Sequence, residues 1–109
     1  MKPLEVLATF LKAYEAKDID TIASMLDENV RFQDWNLTAQ GKDAVLAETR
    51  KNFLDVDQLQ IEVRQFYEGK NCAAAQLKIV VNRKIELEVV DAIELNADQK
   101  VCSIRAYKG

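Results

Sequence analysis

The sequence predicts a single α+β domain in which helices mostly precede a meander of antiparallel strands. Three observations carry that prediction. Apolar residues recur at helical spacing up to about residue 54, they alternate with polar ones from residue 59 to residue 107, and turn-forming residues punctuate the second half. Helical segments followed by a run of strands form an α+β pattern. At 109 residues the chain accommodates one domain, 1–109, and no second. Its 49% hydrophobic and 30% charged residues are those of a folded globular protein.

Residues 4 to 16 place Leu4, Leu7, Ala8, Leu11 and Tyr14 on one helical stripe, widened by Val6 and Phe10. Lys17-Asp18 interrupts it, and Asp18 suits the N-cap of a second helix that turns Ile19, Ile22, Ala23, Met25 and Leu26 inward. Asp27-Glu28-Asn29 reads as a turn. Residues 30 to 36 then alternate, with Val30, Phe32 and Asp34 on one side. Gly41-Lys42-Asp43 opens a third helix, with Asp43 a candidate cap and Val45, Leu46, Thr49, Phe53 and Leu54 facing the core.

Four strands follow. Leu59, Ile61 and Val63 alternate with polar neighbours, and Glu68-Gly69-Lys70-Asn71 is a turn. Ala73, Ala75, Leu77, Ile79 and Val81 alternate next, then Ile85, Leu87, Val89, Asp91, Ile93 and Leu95, and residues 100 to 107 end the sheet. Opposed residues of an antiparallel pair share a face. The three-residue loop Asn82-Arg83-Lys84 therefore sets Val81 against Ile85 and Ala75 against Asp91. A four-residue loop at 96 to 99 would pair Leu95 with Lys100 and Asp91 with Ile104, turning Cys102, Ile104 and Ala106 inward.

Two aspartates break these apolar faces. Asp34 follows Val30 and Phe32, and Asp91 sits among Leu87, Val89, Ile93 and Leu95. Because side chains alternate with period two, neither leaves the inner face without a bulge, and an unpaired carboxylate in apolar surroundings costs several kcal/mol or takes up a proton. A face lining a hollow resolves the conflict, and the small Ala73 and Ala75 suit one. The plainer alternatives are that the strand ends near Phe32 with Asp34 capping a turn, and that Asp91 sits in a buried ion pair or a bulge. Two aspartates in one apolar pocket can divide the work: one protonated as a hydrogen-bond donor, the other ionised as a base.

Composition narrows the chemistry. The chain has no histidine, which excludes the Ser-His-Asp triad, the Cys-His dyad and the His-Glu-x-x-His zinc site. Cys72 and Cys102 fit no zinc or redox motif and read as reduced strand residues. No metal is expected. No organic cofactor is expected either, since neither a phosphate-binding glycine loop nor a dinucleotide fingerprint is present. The net charge of −3 argues against nucleic acid. No apolar run approaches a membrane span and no signal-peptide core is evident, so the expected location is cytoplasmic.

The segments F-L-K-A-Y-E-A-K-D-I-D-T-I-A-S-M-L, D-E-N-V-R-F-Q-D, Gly41-Lys42-Asp43-Ala44-Val45, V-V-D-A-I-E-L-N and the closing I-R-A-Y, in this order and spacing, resemble the nuclear-transport-factor-2-like superfamily. Within it they are most similar to the ketosteroid isomerase and SnoaL-like polyketide cyclase group. The resemblance implies a cone-shaped, strongly curved antiparallel or mixed sheet wrapped on one face by three N-terminal helices, with a pocket between. It implies Asp34 at the position of the catalytic base and Asp91 at that of the protonated oxyanion-hole acid. The family's oxyanion tyrosine aligns with Phe10, which has no hydroxyl. Tyr14 lies one helical turn further on, about 6 Å along the axis.

Three functions are therefore expected to compete. One is cofactor-free isomerisation, cyclisation or dehydration of a small apolar carbonyl compound, with Asp34 as base and Asp91 as acid. The others are a non-catalytic module for a hydrophobic ligand and a structural dimer of the same fold. In the first two, Phe10, Tyr14, Phe32, Ile61, Ala75, Leu77 and Ile104 are expected to line the ligand site. The resemblance also implies a homodimer through the outer sheet face, where Ala74, Val80, Val90 and Ala92 lie among charges.

Overall fold

Helix α1 (Pro3–Glu15) begins at a proline, whose missing N–H costs nothing in the first turn, and it buries Val6, Leu7, Phe10, Leu11 and Ala13. This computed structural model describes all 109 residues. Lys17, at a positive φ of 57°, stops the helix. Asp18 caps α2 (Ile19–Met25) as predicted: its carboxylate accepts from the Thr21 amide at 3.1 Å and from the Thr21 hydroxyl at 2.6 Å. Helix α3 (Lys42–Asp55) starts differently from expectation. Its N-cap is Gly41, at φ 94°, a conformation natural to glycine, and Asp43 lies within the first turn. Leu54 is 84% exposed. It sits about 100° round the helix from Phe53, off the stripe of Val45, Leu46, Thr49 and Phe53.

The sheet is mixed and open. Its strands are β1 (Leu26–Gln33), β2 (Thr38–Gln40), β3 (Leu59–Glu68), β4 (Cys72–Val81), β5 (Ile85–Leu95) and β6 (Val101–Lys108), in spatial order β2-β1-β6-β5-β4-β3. β3 to β6 form the expected antiparallel meander. β1 joins β6 in parallel, and the short β2 folds back on β1. Asp27-Glu28-Asn29 is no separate turn. It is an irregularity inside β1, where the register against β6 slips between Leu26 and Arg31 and the Asn29 amide donates to the Asp27 carboxylate at 2.9 Å.

The registers argued from parity hold for the central hairpin: Val81 faces Ile85 and Ala75 faces Asp91. The last hairpin differs, pairing Leu95 with Val101 and Asp91 with Ala106. The turn reaches Lys100, because the Asn96 side chain accepts the amides of Asp98 and Lys100 at 2.9 and 3.0 Å. A bulge then leaves Cys102 without a partner between Val101 and Ser103. Two one-residue shifts restore the original parity. Ile104 and Ala106 therefore still face the helices, while Cys102 is half-buried with its Sγ against the Glu94 carbonyl. A second bulge, at Arg64 in β3, moves Phe66 inward and Tyr67 outward.

The core lies between the helices and the inner sheet face, with Leu7, Ile22, Val30, Leu77, Ile93 and Val101 fully buried. It fills the end of the sheet near the 96–100 turn and thins toward the other end, where a cavity opens.

Candidate functional site

Asp91 occupies the middle of β5 in unbroken register, between Val89 at 3% and Ile93 at 1% exposure on the same face. Its cross-strand neighbours are Ala75 and Ala106, so no large side chain crowds the carboxyl from the flanking strands. The molecule's three ion pairs are Lys42–Glu28, Arg64–Glu88 and Lys78–Glu86, and none involves Asp91. The plainer alternatives for this residue, a buried ion pair or a bulge, therefore both fail. Burial first, and the charge of Asp34 second, push its pKa up to about 7. The residue is half-buried and lines a cavity.

Asp34 reaches that cavity by another route. β1 ends at Gln33, and the chain turns through Asp34, Trp35 and Asn36. Asp34 Oδ1 accepts the amides of Asn36 at 2.7 Å and Leu37 at 2.9 Å, while its own amide donates to the Leu37 carbonyl at 3.0 Å. The residue therefore does cap a turn, and it is half-buried against the cavity as well.

The cavity holds about 230 Å³. Phe10, Leu11 and Tyr14 of α1 form its roof, and Ile61, Ile79, Leu87, Val89, Ile104 and Ala106 of the sheet form its floor. Phe53 and Val56 close one side, and Phe32, Asp34, Trp35 and Asn36 close another. A second chamber of about 190 Å³ lies between α3 and β1, bounded by Ile22, Leu37, Val45, Thr49 and the rim charges Glu48, Lys51 and Asp55. Phe10, Tyr14, Phe32, Asp34, Asn36, Asn52 and Ile104 line both chambers.

Of the residues predicted to line the site, Phe10, Tyr14, Phe32, Ile61 and Ile104 do so, and Asp34 and Asp91 share their cavity. Ala75 and Leu77 do not: both are wholly buried in the solid core. They lie on the part of β4 that packs under α1, and the strand meets the cavity only further along, at Ile79 and Val81. Alternation identifies the face of a strand but not how far a helix covers it.

Asn52 is a site residue that sequence reasoning missed. Its Nδ2 donates to the Tyr14 hydroxyl at 2.6 Å. The signal was present, since Asn52 follows Val45 and Thr49 at the i, i+4, i+7 spacing of the inward stripe. The Tyr14 ring lies edge-on to Phe53, at 4.9 Å between centroids, and 6.1 Å from Phe10. Burial raises the pKa of its phenol; the Asn52 hydrogen bond opposes this, and the charges of Asp91 and Asp34 add to it. Lys17 also borders the cavity, and its Nζ donates to the carbonyls of Val56 and Asp57, tying the α1–α2 turn to the segment after α3.

No cluster of three His, Cys, Asp or Glu side chains is placed to hold a metal ion, both cysteines are free, and no helix is long and apolar enough to cross a membrane. The arrangement can seat an apolar molecule with one oxygen near Asp91 and a C–H bond near Asp34.

The sequence profile of the SnoaL-like domain family matches residues 7–104. No curated protein matches the sequence. Many solved structures share the fold. A Kribbella flavida DSM 17836 protein with the provisional name ketosteroid isomerase superposes with a TM-score of 0.87 at 16% identity, over 98% of this chain and 77% of that one. An LEH-like epoxide hydrolase of M. tuberculosis gives 0.84 at 14% identity, over 98% and 82%. A Sinorhizobium meliloti protein with the provisional name polyketide cyclase gives 0.83 at 12% identity, over 94% and 93%.

Proposed function

Because this chain belongs to the SnoaL-like domain family, we propose that it is a cofactor-free acid–base catalyst acting on a small, largely apolar carbonyl compound. Asp34 removes a proton from the carbon beside the carbonyl. The C–H electron pair becomes a carbon–carbon double bond while the carbonyl π pair moves onto oxygen, giving an enol where Asp91 transfers its proton and an enolate where it donates only a hydrogen bond. Return of the proton from Asp34 to another carbon isomerises the compound; attack of the enol carbon on a second carbonyl, whose oxygen takes up a proton, cyclises it; departure of a β-hydroxyl as water, with the proton that Asp34 carries, dehydrates it. Base and donor together lower the barrier because charge moves from one to the other through the substrate.

The observation that carries the reading is the unpartnered Asp91 carboxyl in the wall of a cavity that Asp34 also lines. A carboxyl pushed up to about 7 is half protonated at neutral pH, which suits a hydrogen-bond donor. The experiment is exchange of the α-protons of 2-tetralone, an apolar bicyclic ketone, with deuterated water, followed by NMR. Exchange above the buffer rate is expected, with a loss of about a hundredfold or more in Asp34→Asn. Saturable binding without added exchange would instead favour the binding module, a reading that rests on Phe10, which lacks a hydroxyl where the family's tyrosine aligns.

The same proposal includes a homodimer through the outer sheet face and a cytoplasmic location, in keeping with two unbridged cysteines. Tyr67, Val90 and Tyr107 are exposed at 55%, 37% and 54% on that face. Glu94 and Arg105 line its groove, and neither belongs to an ion pair. A two-fold axis can set Arg105 of one copy against Glu94 of the other. Sedimentation should give a dimer that Tyr107→Glu splits; a monomeric parent would contradict it.

A further inference from the structure

We propose that the Tyr14 hydroxyl, oriented by Asn52, is a ligand-reading donor that selects molecules carrying an acceptor oxygen at the junction of the two chambers. The inference rests on the proposed pocket but not on turnover.

A phenol can accept and donate hydrogen bonds at once. Asn52 Nδ2 is the donor in the 2.6 Å contact, so the Tyr14 oxygen accepts. The phenol's own proton remains to be placed, and no protein acceptor takes it. An O–H left undonated in a half-buried site carries a free-energy penalty, which a ligand oxygen would remove. The direction is constrained as well. Phe10 and Phe53 hold the ring between them, and Asn52 occupies one side of the oxygen. Both Tyr14 and Asn52 border the two chambers, together with Asp34 and Phe10. The donor therefore stands at the junction rather than at the rim.

The ligand class follows. The chamber over the sheet is lined mostly by apolar side chains, while the chamber beside α3 carries Glu48, Lys51 and Asp55 at its edge. A matching molecule has a compact apolar ring system for the first chamber, a carbonyl or ether oxygen at its margin for Tyr14, and space for a polar substituent directed toward α3. Asn52 is a positioning residue. It holds the phenol so that its proton points into the cavity and not toward a helix carbonyl. Asp91 lines only the chamber over the sheet, whereas Tyr14 borders both chambers.

The test compares 2-tetralone with tetralin, which has the same ring system and no oxygen, by equilibrium binding to the intact protein. The parent should prefer the ketone. Tyr14→Phe should weaken ketone binding about tenfold, the scale of one hydrogen bond, and leave tetralin unchanged. Asn52→Ala should weaken it several-fold, and the double variant should be no worse than Tyr14→Phe alone, because the amide acts only through the phenol. Tetralin is the control for shape: a purely structural role for either side chain would alter both ligands equally. A parent that binds the two alike, or binds neither, overturns the inference, as does a Tyr14→Phe protein that retains the parent's preference. Loss of preference in Tyr14→Phe with no α-proton exchange in the parent would uphold this inference and defeat the catalytic reading. Exchange with an unaltered preference would do the reverse.

Discussion

Asp34 and Asp91 line one cavity, yet the backbone treats them in opposite ways. Asp91 stands in the middle of a regular strand, where every nearby amide and carbonyl is committed to the ladder, and nothing in the protein hydrogen-bonds its carboxyl. Asp34 stands just past a strand end, where the chain turns and two free amides converge on Oδ1. Two N–H groups hold the Asp34 carboxyl in place as an acceptor, whereas the Asp91 carboxyl, among Val89, Ile93 and two alanines, receives none and its pKa rises toward the protonated form. The lesson is that strand position sets carboxyl chemistry. A strand interior makes a donor and a strand end makes an acceptor, and a proton-transfer site needs one of each.

The largest expected effect probes the Asp91 side of this contrast. In the unfolded chain Asp91 ionises near 3.8, whereas in the fold it keeps its proton to about 7. Well below pH 3.8 both states are protonated and the residue costs nothing. Between pH 4 and 7 unfolding releases a proton, so stability falls as pH rises, and above about 7 the loss is complete. Three units correspond to about 4 kcal/mol. Asp91→Asn should therefore stabilise the protein at pH 8 by about 2–4 kcal/mol in urea unfolding and show no gain at pH 3.5. A variant no more stable than the parent at pH 8 would place Asp91 in an ordinary aqueous environment.

A smaller effect probes Asp34. Asp34→Ala removes the acceptor of two turn amides and should cost about 1–2 kcal/mol. Asp34→Asn keeps an oxygen for both amides and should cost less than about 0.5 kcal/mol while still losing the exchange activity. Equal losses in the two variants would mean that the charge, and not the acceptor, holds the turn.

Much of this contrast was legible in the sequence. Period two alone turned Asp91 inward, and loop parity alone set it opposite Ala75. Both are local properties of a regular strand. What escaped were features that local pattern does not encode. The parallel pairing of β1 with β6 joins segments some seventy residues apart. β2 is three residues long, too short to show alternation. The bulge at Cys102 leaves no mark in the hydrophobic pattern because parity recovers by Ile104, whereas the bulge at Arg64 switches the inward set from Val63 to Phe66 too near the end of β3 for alternation to show it. Ala75 and Leu77 share a face with Ile79 and Val81, and only the placement of α1 decides which pair is core and which is cavity wall. Asn52 reads as one more polar helix residue until α3 is set against Tyr14.

The most direct measurement is the titration of Asp91 itself, followed by the carboxyl 13C chemical shift in protein labelled at aspartate and assigned through Asp91→Asn. Asp91 should show a midpoint about three units above an ordinary aspartate, near 7, lowered when Asp34→Asn removes the neighbouring charge. A midpoint near 4, unmoved by that substitution, would contradict it, since the two carboxyls would then share neither an apolar hollow nor each other's field.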